Sequence, residues 1–327
     1  MSGRMGCVLL AAVVAALAAS MPALADTFPS RAITVVVPFP AGGGSDVIAR
    51  IVVGRMATAL GQPMVIENVT GASGSIGVGR VARATPDGYT IVSGHWGTHV
   101  VNGATLDLPY DLRTAFAPVA WMASGLEAIV VRKTVPADDL KSFVAWLKSR
   151  PGETLMGTSG MGSVGHIHGI NFQKVTGTEL RFVPYRGIAP AMQDLVAGQI
   201  DMMITSTTDV VPQVRAGTIK ALAVSNGSRI AQAPDIPTVD EAGLPGFYTQ
   251  MWHALWAPAG TPPEVIARLN AAAVEALADP AVRQRLADIG QDIPPRDQQT
   301  PQALGAHHMA EIETWWPLIK AAGIKTQ

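Results

Sequence analysis

Ile33-Thr34-Val35-Val36-Val37 is β-branched and almost wholly apolar, the pattern of a strand buried on both faces of a parallel sheet. Residues 38–44 then break the pattern with prolines and glycines. Ser45 or Asp46 is placed to cap a helix running to about Leu60, with Val47, Ile48, Ile51, Val52 and Met56 on its inner side and Gly61 closing it. The alternation then repeats along the chain. Short apolar runs at 64–66, 89–92, 128–131, 154–156, 182–183, 202–204 and 221–224 predict strands. Helical periodicity at 142–148, 167–175, 190–196 and 209–216 fills the gaps, a glycine-rich turn at 71–77 opens another helix, and two long helices follow at 263–278 and 301–322. Strand–helix alternation of this kind predicts an α/β fold with helices on both faces of its sheets.

In such folds ligands bind outside the carboxyl ends of the strands. The long loops here follow strands, at 38–46, 94–99 and 158–166, and mark the expected ligand edge. Pro38-Phe39-Pro40-Ala41-Gly42-Gly43-Gly44-Ser45-Asp46 is the most informative of them. Its glycines leave backbone N–H groups uncovered at the start of a helix, where unpaired amides and the helix dipole favour an anion. A carboxylate can dock there without lysine or arginine. Gly160-Met161-Gly162-Ser163-Val164-Gly165 has the spacing of a dinucleotide fingerprint, but its strand is short and weakly apolar. A second anion cradle fits better, with Thr158, Ser159 and Ser163 adding hydroxyls.

The N-terminus sets the compartment. Arg4 is the only charge before Asp26, residues 8–19 are apolar, and Pro22-Ala23-Leu24-Ala25 ends in small residues. This is the pattern of a secretory signal peptide at 1–25, cleaved after Ala25. Cys7, the only cysteine, leaves with it, so no disulfide, thiolate or sulfur metal ligand is expected. The net charge of −1 and the lack of any basic run argue against nucleic acid and anionic membranes as partners.

Catalytic signatures are missing. No Gly-x-Ser-x-Gly nucleophile elbow and no His-Glu-x-x-His occur, and the pairs His95/His99 and His166/His168 have no acidic neighbour in sequence. His95 and His166 suit hydrogen-bond donation to a ligand, whereas His307 and His308 are expected at the surface. Trp96, in a loop at the ligand edge beside Gly97, fits either stacking on a ligand ring or core packing.

The motifs together resemble a known family. They comprise residues 38–46, Glu67-Asn68-Val69-Thr70-Gly71-Ala72-Ser73-Gly74, Pro86-Asp87-Gly88-Tyr89-Thr90, Val183-Pro184-Tyr185-Arg186-Gly187, Gly198-Gln199-Ile200-Asp201, Pro237-Thr238-Val239, Glu241-Ala242-Gly243-Leu244-Pro245-Gly246 and Ala257-Pro258-Ala259-Gly260-Thr261-Pro262. The chain resembles the substrate-binding receptors of tripartite tricarboxylate transporters, the Bug family of periplasmic solute receptors. The resemblance implies a two-lobed periplasmic binding protein (type II-like) with its ligand cleft between the lobes. Residues 26–125 with 250–327 would form lobe 1, and residues 126–249 lobe 2. It implies closure on a small carboxylate between one loop of each lobe, 39–46 and 158–166. The expected ligand-binding set is Phe39, Ala41, Gly42, Gly43, Gly44, Ser45, Asp46, His95, Trp96, Gly97, Thr158, Ser159, Gly160, Ser163, His166, Tyr185, Arg186 and Ser206, with no catalytic residue, metal or cofactor. The expected partners are a carboxylate and membrane permease subunits, the receptor itself being a monomer. His95-Trp96 and His168 depart from the small residues usual in the family. Residues 204–208 lack the acid or amide often found there, which points to a non-amino carboxylate, aromatic acids included. A sensor partner of a signalling receptor and a secreted hydrolase or lyase remain as alternative readings.

Overall fold

The computed structural model describes residues 28–185, 188–230 and 232–324; the expected signal peptide and Arg186 lie outside them. Strand β1 (Ile33–Val37) is buried at four of its five positions, as its apolar run requires. It pairs in parallel with β2 (Met64–Asn68) and β3 (Thr90–His95). Helix α1 (Gly44–Leu60) follows β1 and buries Ile48, Ile51, Val52 and Met56. Gly61 ends it in a left-handed conformation, φ 70°, returning its N–H to Ala57 O. The helix start differs from expectation. Gly43 occupies the cap position and no side chain caps the amides, because Ser45 and Asp46 already lie inside the first turn.

Besides short helical segments at Ala72–Gly74, Gly97–Val101, Asn102–Thr105 and Arg296–Gln299, the remaining elements are α2 (Ser75–Ala82), β4 (Phe116–Arg132), α3 (Leu140–Lys148), β5 (Thr154–Thr158), α4 (Val164–Thr176), β6 (Leu180–Pro184), α5 (Ile188–Ala197), β7 (Met202–Ser206), α6 (Thr207–Arg215), β8 (Ile219–Val224), β9 (Gln250–Pro258), α7 (Pro263–Ala278), α8 (Pro280–Asp288), β10 (Gln291–Asp292) and α9 (Pro301–Ala321). The strand order is β2-β1-β3-β9-β4-β7-β5-β6, with β8 and β10 also pairing β4. β4 joins the two halves of this curled sheet. Through Leu126 it pairs antiparallel with β9; from Glu127 it pairs with β7 and β8. The run 128–131 read as a strand is therefore the end of a 17-residue strand. β9, which was not anticipated as a strand, lies beside it.

The chain returns between the halves at residues 225–249, and that return is pinned to β4. Ser225 N donates to Glu127 O at 2.9 Å, and Thr249 Oγ1 donates to Ser225 Oγ at 2.6 Å. The first half of the sheet has a core on each face. One gathers Ile33, Val35, Ile51, Val52 and Met56 against Leu269, Ala273 and Leu277 of α7. The other is aromatic, with Trp96, Trp252, Trp256 and Trp315 closed by Ile319 of α9. Fully burying each large side chain contributes roughly 1.5–3 kcal/mol. His308 belongs to this core: it is 3% exposed and its Nε2 lies 2.7 Å from His99 O. His307 stacks on Trp121 at 4.3 Å. The surface position expected for both is thus corrected, since α9 presents them to the tryptophans. Among the described residues no helix is long and apolar enough to cross a membrane.

Candidate functional site

The β1–α1 loop is held from behind by two contacts its sequence encodes. Gly42 takes φ 81°, which only glycine adopts without strain, and this turns its N–H onto Asp46 Oδ2 at 2.8 Å. The same oxygen accepts from Arg50 Nε at 2.8 Å, while Oδ1 accepts from Asn68 Nδ2 at 2.9 Å. The Arg50 hydrogen bond is the main cause that lowers the Asp46 pKa to about 2, so the carboxylate stays ionised. Asn68 Nδ2 also reaches Phe39 O. The glycine-rich turn after β2 backs the loop: a Cβ on Gly77 would lie 2.6 Å from Val69 O and 3.1 Å from Pro38 Cβ. Asp46 was expected to face a ligand. It is instead 1% exposed with both oxygens committed to the loop itself. What the loop leaves open is the first turn of α1, whose amides have no capping side chain.

This turn opens on a cleft of about 440 Å³ between the halves of the sheet. Gly42, Gly44, Ser45, Val47 and Ile48 form one wall. His95 of β3 and Met251 and His253 of β9 form the floor. Ser206 and Thr208, at the β7–α6 junction, form the opposite wall, with Ile289 and Gln291 beyond them. Among the described residues no aspartate, glutamate, lysine or arginine lines it. Two other clefts lie near the crossing, one of about 200 Å³ between α6 and α8 and one of about 620 Å³ beside Arg229 and Arg283. Neither is reached by the β1–α1 loop or by His95.

The expected residues therefore divide. Gly42, Gly44, Ser45, His95 and Ser206 come together in the cleft. Phe39 stands behind His95, stacked on its ring at 4.6 Å, and Gly97 donates to the same ring. Ala41 and Gly43 are exposed on the loop. Trp96 is corrected to a core residue: it is 0% exposed, with its ring 5.0 Å from His168 and 5.2 Å from Trp315. Tyr185 donates to Asp194 Oδ2 at 2.6 Å, and burial together with that bond pushes its pKa up to about 12.

Thr158, Ser159, Gly160, Ser163 and His166 do not line the cleft. Three amides of their loop find acceptors within it. Gly162 N donates to His166 Nδ1 at 3.0 Å, Ser163 N to Gly160 O at 3.2 Å, and His166 N to Ser163 Oγ at 3.4 Å. Thr158 Oγ1 turns to Gly160 O. Burial lowers the His166 pKa and keeps the ring neutral. The helix behind this loop is drawn onto the first half of the sheet. Ile167 joins the aromatic core, and His168 Nδ1 lies 2.5 Å from Glu127 Oε2 on the crossing strand. Sequence reasoning missed Met251, His253, Thr208 and Gln291. Alternation along 250–258 was the one available signal for the first two. Among the described residues no group of three or more His, Cys, Asp or Glu side chains could hold a metal ion.

Comparison with known proteins finds relatives along nearly the whole chain. MatC from Rhodopseudomonas palustris, solved with bound malate, is 39% identical and superposes with a TM-score of 0.73 over 89% of this chain and 100% of its own. Rpa4515 of R. palustris, solved with adipate, is 35% identical with a TM-score of 0.75, covering 91% and 99% of the two chains. Protein BugT of Bordetella pertussis is 33% identical over 306 residues, 93% of each chain. Residues 48–324 match the model described as the tripartite tricarboxylate transporter family receptor. By that match and these relatives, the chain belongs to the tripartite tricarboxylate transporter receptor family.

Proposed function

We propose that the chain is a periplasmic receptor that captures a small carboxylate in this cleft and delivers it to the membrane permease subunits of a tripartite-type transporter. One observation carries the reading. The uncapped amino end of α1 opens onto a cleft where, among the described residues, no charged side chain lines the wall. Backbone amides with the helix dipole favour an anion there, and no lysine or arginine is needed. Malate and adipate in the two R. palustris structures are acids of suitable size. Residues 26–125 with 250–327 act as one lobe and 126–249 as the other. They close about β4 and the return at 225–249, a hinge motion of the kind known for periplasmic binding proteins. The receptor works as a monomer, uses no cofactor and performs no chemical step. Export precedes this, with cleavage after Ala25.

A thermal-shift screen over di- and tricarboxylates, aromatic acids and amino acids tests it, with calorimetry on each hit. Gly44→Val is the matching variant. A Cβ on Gly44 meets nothing within 4 Å, so the added side chain stands in open cleft space without straining the fold. Binding is expected to fall about 100-fold or more, which is about 2.7 kcal/mol, at an unchanged melting temperature. Wild-type affinity in Gly44→Val would put the ligand elsewhere.

A further inference from the structure

The floor of the cleft carries two histidines side by side. His95 ends β3 and His253 is its register partner on β9. Their rings meet edge to face at 5.5 Å, and the residues are 9% and 5% exposed. His95 is fastened from behind. Its Nδ1 accepts from Gly97 N at 2.9 Å and from Thr98 N at 3.4 Å. A ring nitrogen that accepts from backbone amides carries no proton, so the neutral ring holds its hydrogen on Nε2. Among the described residues no protein group accepts from that Nε2–H. Phe39 sets the ring plane by stacking at 17°, and Gly97 leaves room for it, since a Cβ there would sit 2.7 Å from Cε1. His253 Nδ1 is also buried without a partner. Burial keeps both rings uncharged, lowering their pKa values to about 4 and about 3.

From this arrangement we infer that His95 sets specificity for a second polar group on a ligand whose carboxylate is held at the α1 amides. Its Nε2–H donates to an oxygen acceptor, so the cleft selects acids that carry a second carbonyl, hydroxyl or carboxylate oxygen. The inference rests on the receptor reading and concerns the same cleft. An alkyl end would leave a buried donor unpaired, which costs more than a merely weak contact. An ammonium end would face a donor and, among the described lining residues, find no carboxylate. Ser206, Thr208 and Gln291 can share the accepting oxygen, while Met251 and Ile289 pack against the carbon chain.

Four acids of similar length separate the cases in titration calorimetry: succinate, levulinate, 4-aminobutyrate and pentanoate. The wild type is expected to bind succinate and levulinate about tenfold or more tightly than the other two. His95→Asn keeps an acceptor for Gly97 N and removes the donor in the cleft. Levulinate should then bind no better than pentanoate. His95→Gln places a donor nitrogen where Nε2 stood and should restore part of the preference. An unchanged preference in His95→Asn overturns the inference, as does a wild type that ranks 4-aminobutyrate or pentanoate with levulinate. Should His95→Asn fail to fold, the wild-type ranking decides alone. Binding of benzoate but none of the four overturns the inference and leaves the receptor reading standing. Binding of no acid at all overturns the receptor reading itself.

Discussion

The β1–α1 and β5–α4 junctions look alike in sequence and differ in what they expose. Both are glycine-rich, both follow a strand, and both open a helix. At β5–α4, Ser163 caps the helix and His166 reaches back to Gly162, so these polar groups are spent within the loop. At β1–α1 the side chain that reaches back is Asp46, which takes Gly42 N and leaves the first-turn amides uncapped. The second junction also contributes no residue to the cleft described above, and α4 behind it packs on the tryptophans of the other half. At both junctions the residue four positions on takes a glycine N–H; what differs is the cap, Ser163 at one and Gly43 at the other, and the bare glycine leaves the first-turn amides of α1 open. Each junction has a histidine beside it as well. His166 Nδ1 serves its own loop, and His95 Nδ1 serves the turn behind it while Nε2 is left for the cleft.

The contrast breaks most severely if Asp46 is removed. Asp46→Ala deletes the acceptor for Gly42 N, Arg50 and Asn68 together. Hydrogen bonds to a charged group are each worth about 1.5–3 kcal/mol, and water recovers part of the loss at the half-exposed Arg50. A stability loss of about 2–3 kcal/mol in urea melts is expected, with ligand affinity down about tenfold as the loop loosens. Wild-type affinity in Asp46→Ala would mean that the open amides need no internal fastening.

Much of the first junction was legible because its determinants are local. An apolar run, a glycine loop and a helix within residues 33–60 announce a strand, an anion-friendly turn and a buried face. Of the opposite wall only Ser206 was expected, and no local pattern placed it against the first junction. Ser206 and Thr208 meet Ser45 only through the path of β4 across two half-sheets, and His253 reaches the floor only through its register with His95. No spacing in the chain encodes those meetings. Trp96, His307 and His308 misled for a related reason. An aromatic in a glycine-flanked loop and two histidines on a terminal helix read as accessible until α9, which carries both histidines, packs onto the tryptophan core.

Acid separates the histidines from the carboxylate at the two junctions. His95 and His166 both have lowered pKa values in the folded chain, chiefly through burial. Below pH 6.5 an unfolded histidine takes up a proton that folded His95 refuses until about pH 4. Stability is therefore lost as pH falls through that window, by about 1.4 kcal/mol per unit for one such residue. The pKa of Asp46 is depressed in the folded state as well, so its contribution is present above its unfolded value and is lost only as pH falls towards about 2. Urea melts between pH 7 and pH 4.5 should show a shallower acid limb for His95→Asn than for the wild type. An identical limb would mean that water already solvates the ring and that the floor of the cleft is open.

The smallest effect is the most discriminating. Ser163→Ala removes the cap of α4, whose Oγ accepts from His166 N. Losing a helix cap costs about 1 kcal/mol of stability. If the β5–α4 loop serves itself, the variant melts lower and binds its carboxylate within about twofold of the wild type, since RT ln 2 is about 0.4 kcal/mol. If the loop instead swings into the cleft when the halves close, Ser163 gives up its cap to hold the ligand. Affinity then falls about fivefold at nearly unchanged melting temperature, as for a neutral hydrogen bond of about 1 kcal/mol. Melting curves and calorimetry on this one variant thus measure, in opposite directions, whether the second junction is a finished helix start or a cradle waiting for its anion.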